Sequence, residues 1–403
     1  MLVREMIRNV YKECKGVPKS NGLTKEQRLS LQMDEFMNRR YEFRYNTQIG
    51  EVEYRERFSF QFYFHSIDKR AQNSIMLDAQ SEGIGVWDRD IDRYLHSNRV
   101  PIYNPLEEFL FHLPHWDGKD RIHALANRVP CKNPHWELLF HRWFLNMVSH
   151  WRGIDKMHAN NTSPILVGRQ GTHKSTFCRE MIPPALRAYY TDSIDFSHKR
   201  DAELYLNRFA LINIDEFDQI TLPQQGFLKH ILQKPVVNLR KPHGRSVLEL
   251  QRYASFIGTS NQKDLLTDPS GSRRFICIEV TGNIDTTQPI DYEQLYAQAM
   301  HEIHHGERYW FDSEDEQIMT ENNREFEQTP AMLQLFYQYF KAAQTKEEGE
   351  FLTPVEILNY LKKKSGISLS DNKVYHFGRL LQKCGIPSKH TYKGTVYQVI
   401  KLS

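Results

Sequence analysis

The chain has 403 residues, 40% of them hydrophobic and 12% aromatic, which gives room for two or three domains and excludes a disordered protein. No apolar run is long enough to cross a bilayer, and the N-terminus lacks the apolar core of a secretory signal. Five scattered cysteines argue against a disulfide framework or a structural zinc site: Cys14, Cys131, Cys178, Cys277 and Cys384. We therefore expect a cytoplasmic protein with reduced thiols.

The net charge of +3 is distributed unevenly along the chain. Residues 312–350 carry ten Asp or Glu against three Lys or Arg, whereas residues 351–403 carry nine Lys or Arg against two Asp or Glu. A basic C-terminal module behind an acidic connector is the asymmetry expected when one module contacts nucleic acid.

The first part of the chain predicts a mixed α/β N-terminal region over residues 1–105 and a helical connector over 106–150. A helical start, "TKEQRLSLQMDEFMNRRY", is followed by short strands in "YEFRYNTQIGEVEYRERFSFQFYF" and by a helical stretch around Ser81–Ser97. The block "HWELLFHRWFLNMVSHWRG" has apolar residues at helical spacing and a glycine stop, so it predicts a buried helix.

Residues 151–310 show a different pattern. The short apolar segments "PILVG", "FALINID", "YASFIGTS" and "RRFICIEV" alternate with helical stretches, which predicts an α/β core with a mostly parallel sheet. Helices are expected at Tyr292–His305 and Ala331–Gln344, the second within an acidic helical linker over 311–350. The module at 351–403 predicts helices Pro354–Lys364 and Asn372–Lys383 and a hairpin that turns at Lys393–Gly394.

The segment "VGRQGTHKST" (167–176) follows a strand and opens a helix, which is the context of a phosphate-binding loop. Gly168, Lys174 and Ser175 match the pattern G-x-x-x-x-G-K-[ST], but His173 stands where a glycine is expected. Backbone N–H groups at a helix start bind phosphate, the lysine supplies a positive charge, and the hydroxyl of Ser175 can bind Mg²⁺. The residues expected to hold ATP are Gly168, Gly171, Thr172, His173, Lys174, Ser175 and Thr176.

Polar residues follow two later strands at the point where each strand ends. Asp215 and Glu216 end "FALINID", and Asn261 ends "FIGTSN". Because ligands bind at the carboxyl edge of parallel sheets, we expect Asp215 to hold Mg²⁺ together with Ser175. Glu216 is expected to activate the attacking water, which Asn261 would orient.

Two consecutive arginines, Arg273 and Arg274, stand just before the last strand of this core. An arginine stabilises transition-state charge in phosphoryl transfer and is often supplied by a neighbouring subunit. We therefore expect a homo-oligomeric ring, a hexamer, in which either arginine completes the site of a neighbour.

The order of these segments resembles the virulence-associated protein E family of phages and mobile elements, which is similar to superfamily 3 helicases of the AAA+ class. The matching segments cover about residues 100–310 and are "WDGKDRI", "VGRQGTHKSTF", "NIDEFD", "GTSN", "DPSGSRRF" and "QLYAQAM". The resemblance implies a nucleic-acid-stimulated ATPase of element replication. It assigns ATP-site roles to Lys174, Ser175, Asp215, Glu216 and Asn261, and the finger role to Arg273 or Arg274. No primase-like carboxylates stand upstream, so any priming would require a separate primase.

The resemblance also implies contacts with DNA, as a single strand or a fork. In superfamily 3 helicases the stretch that matches residues 228–252 forms a hairpin that projects into the ring channel, which makes Arg240, Lys241, His243 and Arg245 the candidate backbone contacts. The C-terminal module looks like a winged helix, with Asn372–Lys383 as recognition helix and Lys389, His390 and Lys393 in the wing. A charged lid and a protein-docking winged helix are alternatives for that module.

Three other functions remain open. The protein could be an ATP-regulated DNA-binding assembly without processive unwinding, for example one that interferes with another phage. It could be a P-loop signalling ATPase that never contacts DNA. Finally, "HEIHH" (301–305) matches H-E-x-x-H, which in a zinc protease binds metal through His301 and His305 with Glu302 as base.

Overall fold

The computed structural model describes residues 22–60, 62–153, 157–239, 248–266, 269–328, 331–343, 349–366, 374–392 and 394–402. The described helices are α1 (Lys25–Arg40), α2 (Lys69–Ser81), α3 (Asp88–Leu95), α4 (Pro105–Phe111), α5 (Arg121–Ala126), α6 (Trp136–Arg152), α7 (Lys174–Glu180), α8 (Lys199–Arg208), α9 (Leu222–Leu232), α10 (Tyr292–His304), α11 (Ser313–Asn322), α12 (Ala331–Tyr339), α13 (Pro354–Ser365) and α14 (Val374–Lys383). The described strands are β1 (Tyr41–Asn46), β2 (Glu51–Glu56), β3 (His65–Ser66), β4 (Ile102–Tyr103), β5 (Ser163–Val167), β6 (Tyr190–Thr191), β7 (Leu211–Ile214), β8 (Val236–Leu239), β9 (Leu248–Gln251), β10 (Ser255–Ser260), β11 (Phe275–Glu279), β12 (Phe340–Ala342), β13 (Glu350–Leu352), β14 (Ser388–Thr391) and β15 (Gly394–Lys401). No helix in these ranges is long and apolar enough to span a membrane.

The N-terminal region is a small sheet covered by helices, in the order β3-β2-β1-β4. Thr24 begins α1 with a capping box, in which its hydroxyl and the side chain of Gln27 each accept a backbone N–H. The helical stretch expected around Ser81–Ser97 is wrong as one element. Gly83, with φ of 80°, turns the chain after α2, and α3 begins only at Asp88.

Helix α6 is buried along most of its length and confirms the expected buried helix. Nearly all its side chains from Leu139 onward are buried, and Gly153 ends it in the left-handed conformation with φ of 67°. The indole of Trp151 stacks on the ring of Tyr296 in α10 at 5.1 Å, and both side chains are fully buried. The helix therefore joins the connector to the last helix of the central core.

The central sheet has five strands in the order β11-β5-β10-β7-β6, and each adjacent pair is parallel. The predicted parallel sheet is therefore confirmed. Gly258 lies in β10 opposite Ile165 of β5 and Ile214 of β7. A Cβ at this glycine would approach Ile165 Cδ1 to 2.8 Å and Ile214 O to 3.2 Å, so any larger residue would force the Ile165 side chain to shift.

Two antiparallel pieces complete the described fold. Strands β8 and β9 form a hairpin, and the C-terminal sheet has the order β12-β15-β13 with β14 also paired to β15. The hairpin at Gly394 is confirmed. The helix expected to reach Gln344 is wrong at its end, because Phe340–Ala342 instead pair with β15 and Phe340 is fully buried. Tertiary pairing overrides the helical pattern of the local sequence.

Candidate nucleotide-binding site

The candidate phosphate-binding loop connects buried strand β5 to helix α7. Gly168 is held against β10 and β11: its N–H donates to Ser260 O at 3.0 Å, and an added Cβ would lie 3.0 Å from Val280 O. Gly171 has φ of 85°, which only glycine adopts without strain. Both glycines are therefore required by the backbone of the loop.

His173 lies in the left-handed region, with φ of 66° and ψ of 21°, immediately before the first residue of α7. This geometry explains why a glycine is the expected residue before the lysine. The imidazole is exposed and makes no capping hydrogen bond, so it neither blocks the loop nor stabilises the helix start. The departure from the usual pattern therefore places a Cβ at a left-handed position, which adds backbone strain.

The ammonium group of Lys174 lies inside the loop. Its Nζ donates to Gly168 O at 2.7 Å, to Arg169 O at 2.8 Å and to Asn261 Oδ1 at 3.3 Å. Burial lowers the pKa of Lys174, and the nearby carboxylate of Asp215 partly opposes that shift. The structure thus brings together the lysine and the asparagine that the sequence separates by 87 residues.

The Asp215 carboxylate faces Ser175 across the carboxyl edge of the sheet. Its Oδ1 accepts from Ser175 Oγ at 2.9 Å and also from Thr259 Oγ1. Neighbouring ligands of an octahedral Mg²⁺ at about 2.1 Å are about 3 Å apart, so the Ser175–Asp215 pair fits two adjacent ligand positions. Magnesium bound there would neutralise phosphate charge.

Two further residues of this edge were missed in the sequence. Thr259 follows Gly258, which pairs with Ile214, so the register sets Thr259 beside Asp215. Asp218 accepts from Ser260 Oγ at 2.8 Å and from the backbone N–H of Asn261 at 3.4 Å, and thereby fixes the segment that carries Asn261. The only available signals were the acidic run "DEFD" and the hydroxyls of "GTSN".

Glu216 follows Asp215 at the same edge and is exposed. Its backbone is left-handed, with φ of 53° and ψ of 51°, so the chain turns sharply out of β7 at this residue. Glu216 is therefore an exposed carboxylate that directly follows Asp215 in the chain.

The structure does not bring Arg273 and Arg274 to this edge. They end a 3₁₀ helix just before β11, whose first residue Phe275 pairs with Ser163 at the start of β5. The loop follows the other end of β5, roughly 13 Å away along a five-residue strand. Arg273 donates to Glu316 of α11 at 2.9 Å. Within one chain, both arginines therefore lie at the opposite edge of the sheet from Lys174.

The candidate DNA contacts are described only in part. Arg240, Lys241, His243, Arg245 and Lys393 lie outside the described residues. The first four of these residues lie in sequence between β8 and β9. Leu239 at the end of β8 pairs with Leu248 at the start of β9. Lys389 lies on exposed β14, where its Nζ sits 3.5 Å from the centroid of the Phe351 ring.

Hydrogen bonds join the "WDGKDRI" segment to helix α10 and to Asp291 at its start. Arg121 donates to Asp117 at 2.6 Å and to Asp291 at 3.1 Å, and Gln298 Nε2 donates to Asp120 at 2.9 Å. The Arg121 side chain and a backbone N–H hold the pKa of Asp117 well below its usual range. These contacts show that this motif joins the connector to α10.

The "HEIHH" segment lies on the same helix. Glu302 accepts from His141 Nε2 at 2.6 Å and from Gln298 Nε2 at 2.8 Å, while the rings of His301 and His305 stack at 3.9 Å. Within the described part of the chain, no group of three or more His, Cys, Asp or Glu residues could hold a metal ion. Glu302, which a zinc protease would use as base, is therefore already hydrogen-bonded to His141 and Gln298.

The fold and the site define a mixed α/β protein whose parallel sheet gathers lysine, hydroxyl, carboxylate and amide groups at one edge. A model of the virulence-associated protein E-like domain matches residues 110–328, which is more than half of the chain. The chain belongs to this family, and the resemblance recognised in its motifs is confirmed. A second model, of a domain of unknown function described from a B. theta gene, matches residues 329–399.

Solved structures of the NrS-1 C-terminal region are similar to the chain at 11% sequence identity. The A form of the apo structure covers 92% of this chain and 99% of its own, and another apo structure, of residues 305–718, covers 94% and 100%. The TM-score is 0.45 in both cases. No curated protein matches the chain.

Proposed function

We propose that this protein is an AAA+-like ATPase of the superfamily 3 helicase type, which hydrolyses ATP with Mg²⁺ to move along or melt DNA during replication of a phage or mobile element. The observation that carries the proposal is the convergence of four side chains at one edge of the parallel sheet. Lys174 contacts Asn261, and Ser175 contacts Asp215, although these residues come from three different strand ends.

The roles follow from these contacts. Backbone N–H groups of the loop and the ammonium group of Lys174 would bind the phosphates, which replace the loop carbonyls as partners of Nζ. Ser175 and Asp215 would hold Mg²⁺, and Thr259 keeps the shared carboxylate oriented. Glu216 would take a proton from the attacking water, and Asn261 would orient that water.

The arginines support an oligomer. Because Arg273 and Arg274 lie at the far edge of their own sheet, either one would act on a nucleotide only across an interface between subunits. We therefore propose a ring, a hexamer, whose sites lie between neighbours. Mixing Lys174→Ala subunits with subunits that carry both Arg273→Ala and Arg274→Ala tests this directly. Recovered turnover in the mixture supports the shared site, whereas two inactive proteins that stay inactive when mixed contradict it.

Contact with DNA is proposed for the basic segment between β8 and β9 and for the C-terminal module, interpreted as a winged helix. The hairpin strands follow α9 and lead into β10, so the basic segment is connected in sequence to Asp215 on one side and Asn261 on the other. Motion at the nucleotide site would therefore reach the hairpin through two short elements. Such contacts should be sensitive to salt and indifferent to sequence.

The deciding experiment measures ATP turnover and fork unwinding by wild type, Lys174→Ala and Glu216→Gln, with exposed Lys132→Ala as the matched control. We expect both site variants to lose at least about 100-fold in turnover and the control to keep it. Unwinding by the site variants at the wild-type rate would refute the proposal. Assembly on DNA without turnover by wild type would instead identify an ATP-regulated DNA-binding assembly.

A further inference from the structure

The N-terminal region presents an aromatic surface that the proposed ATPase site does not use. It consists of Phe58, Phe60, Phe62 and Tyr63, which follow β2 and are between 74% and 96% exposed. Three of the four are phenylalanines at alternate positions. Large aromatic side chains that are exposed and lie close together in the sequence are candidates for a binding site.

Two arginines hold Phe62 and Phe64. The next aromatic residue, Phe64, lies under two guanidinium groups, with Arg44 at 3.9 Å and Arg55 at 4.7 Å from its ring centroid. Arg55 Nη1 also donates to Phe62 O at 3.0 Å. The pairing of Tyr54 with His65 closes β2 against β3 behind the segment. The contacts of Phe64 and of the Phe62 carbonyl therefore fix the C-terminal end of this stretch, while the rings of Phe58, Phe60, Phe62 and Tyr63 are exposed.

The charge around the surface favours a polyanionic partner. Exposed Arg57, Lys69 and Arg70 flank the aromatic residues. Exposed Glu56 and Asp68 oppose them, which leaves a net charge of +1 among these five residues. Asp68 accepts a backbone N–H at the start of α2, and Arg57 Nε donates to Asn38 O and Tyr41 O. A second copy of the same surface would bring the positive charges together, which disfavours self-association through it.

We propose that the aromatic surface binds single-stranded nucleic acid, with unpaired bases stacked on Phe58, Phe60, Phe62 and Tyr63. Base–aromatic stacking contributes in a way that tolerates any sequence, and flanking cations contact the phosphates. A duplex cannot offer the faces of its bases without unpairing, so the surface selects single strands. The assignment does not depend on the proposed ATPase activity, because stacking requires no nucleotide hydrolysis.

The test measures binding of a fluorescent oligo-dT to the full chain without ATP. The variant with Phe60→Leu and Phe62→Leu keeps apolar area but loses two stacking platforms, and should bind about 30-fold more weakly. The variant with Phe60→Tyr and Phe62→Tyr keeps the rings and should bind within about threefold of wild type. Phe111→Leu, at a ring that is also exposed but lies on α4, is the matched control and should bind as wild type does.

Salt dependence and sedimentation complete the test. The leucine variant should keep the wild-type slope of log K against log salt, whereas Lys69→Gln with Arg70→Gln should reduce it by about 0.7 for each phosphate that the replaced cations neutralise. Equal oligo-dT affinity of the leucine variant and wild type would overturn the inference, as would an oligomer that dissociates in the leucine variant while DNA binding is unchanged. Lys174→Ala should retain full binding, so loss of turnover alone bears only on the ATPase proposal.

Discussion

Replacing His173 with glycine should stabilise the protein, although it alters the most unusual residue of the loop. The backbone there is left-handed, with φ of 66°, and the imidazole is exposed and makes no capping hydrogen bond. The substitution therefore removes a Cβ from a strained position without removing buried contacts. No decrease in packing offsets the gain.

The size of the gain follows from two opposing terms. A left-handed conformation costs an L-residue about 1–2 kcal/mol, which glycine does not incur. Glycine gives the unfolded chain more freedom, which costs about 0.4–1 kcal/mol of stability. The difference between the midpoints of these ranges is about 0.8 kcal/mol in favour of His173→Gly.

Urea denaturation of a matched series measures this term. His173→Ala keeps the Cβ and should be no more stable than wild type, because histidine and asparagine tolerate the left-handed region better than alanine. His173→Asn should be close to wild type, and His173→Gly should be the most stable. Equal stability of the alanine and glycine variants would refute the strain argument. ATP binding by the same variants tests the imidazole. If the His173 ring contacts phosphate, the alanine and glycine variants should both bind ATP more weakly than wild type, and by the same factor.

Three further results are expected from groups whose partners the structure defines. Asp117→Asn should make the stability of the protein depend less on pH in the acid range. Arg121 lowers the pKa of the Asp117 carboxyl in the folded state, so the stability contributed by this carboxylate is present above about pH 4 and is lost as pH falls. Urea denaturation between about pH 5 and 2.5 measures this loss in wild type and variant. Arg252→Met should cost at least about 3 kcal/mol in urea denaturation, because the buried guanidinium donates to several backbone carbonyls, and a cost below about 1 kcal/mol would contradict this. Asp218→Ala should lower ATP turnover about tenfold with little change in stability, because it frees the segment of Asn261, and unchanged turnover would show that Asp218 has no positioning role.

The edge of the sheet where the site lies could be predicted from the sequence. Apolar segments that alternate with helices indicate parallel strands, and polar residues that end such strands must meet at one edge. The contacts between Lys174 and Asn261 and between Ser175 and Asp215 agree with that argument. The four apolar segments correspond to β5, β7, β10 and β11, of which β5, β7 and β10 are buried along their whole length, whereas the two-residue strand β6 was not predicted.

The neighbours within that edge could not be predicted, because they depend on strand order and register. Thr259 meets Asp215 only because β10 lies between β5 and β7, which no local pattern indicates. The far position of Arg273 likewise follows from the direction of β11. At the C-terminus, the apolar spacing that predicted one helix through Gln344 continues into β12, where pairing with β15 decides the structure.

Within the described residues, only His173 and Glu216 combine a side chain with positive φ, and both lie at the carboxyl edge of the central sheet. One ends the loop before Lys174, and the other turns the chain away from Asp215. Backbone strain of this kind costs about 1–3 kcal/mol per residue and persists only where the surrounding structure enforces it. Buried strand β7 ends two residues before Glu216, and His173 lies between buried strand β5 and helix α7, so both positions are held by neighbouring regular structure. A glycine at position 216 would relieve strain but would remove the carboxylate to which we assign proton transfer in the proposed function. The His173 side chain makes no capping hydrogen bond, so His173→Gly removes backbone strain without removing a known contact. That substitution is therefore a cleaner test of strain than one at Glu216.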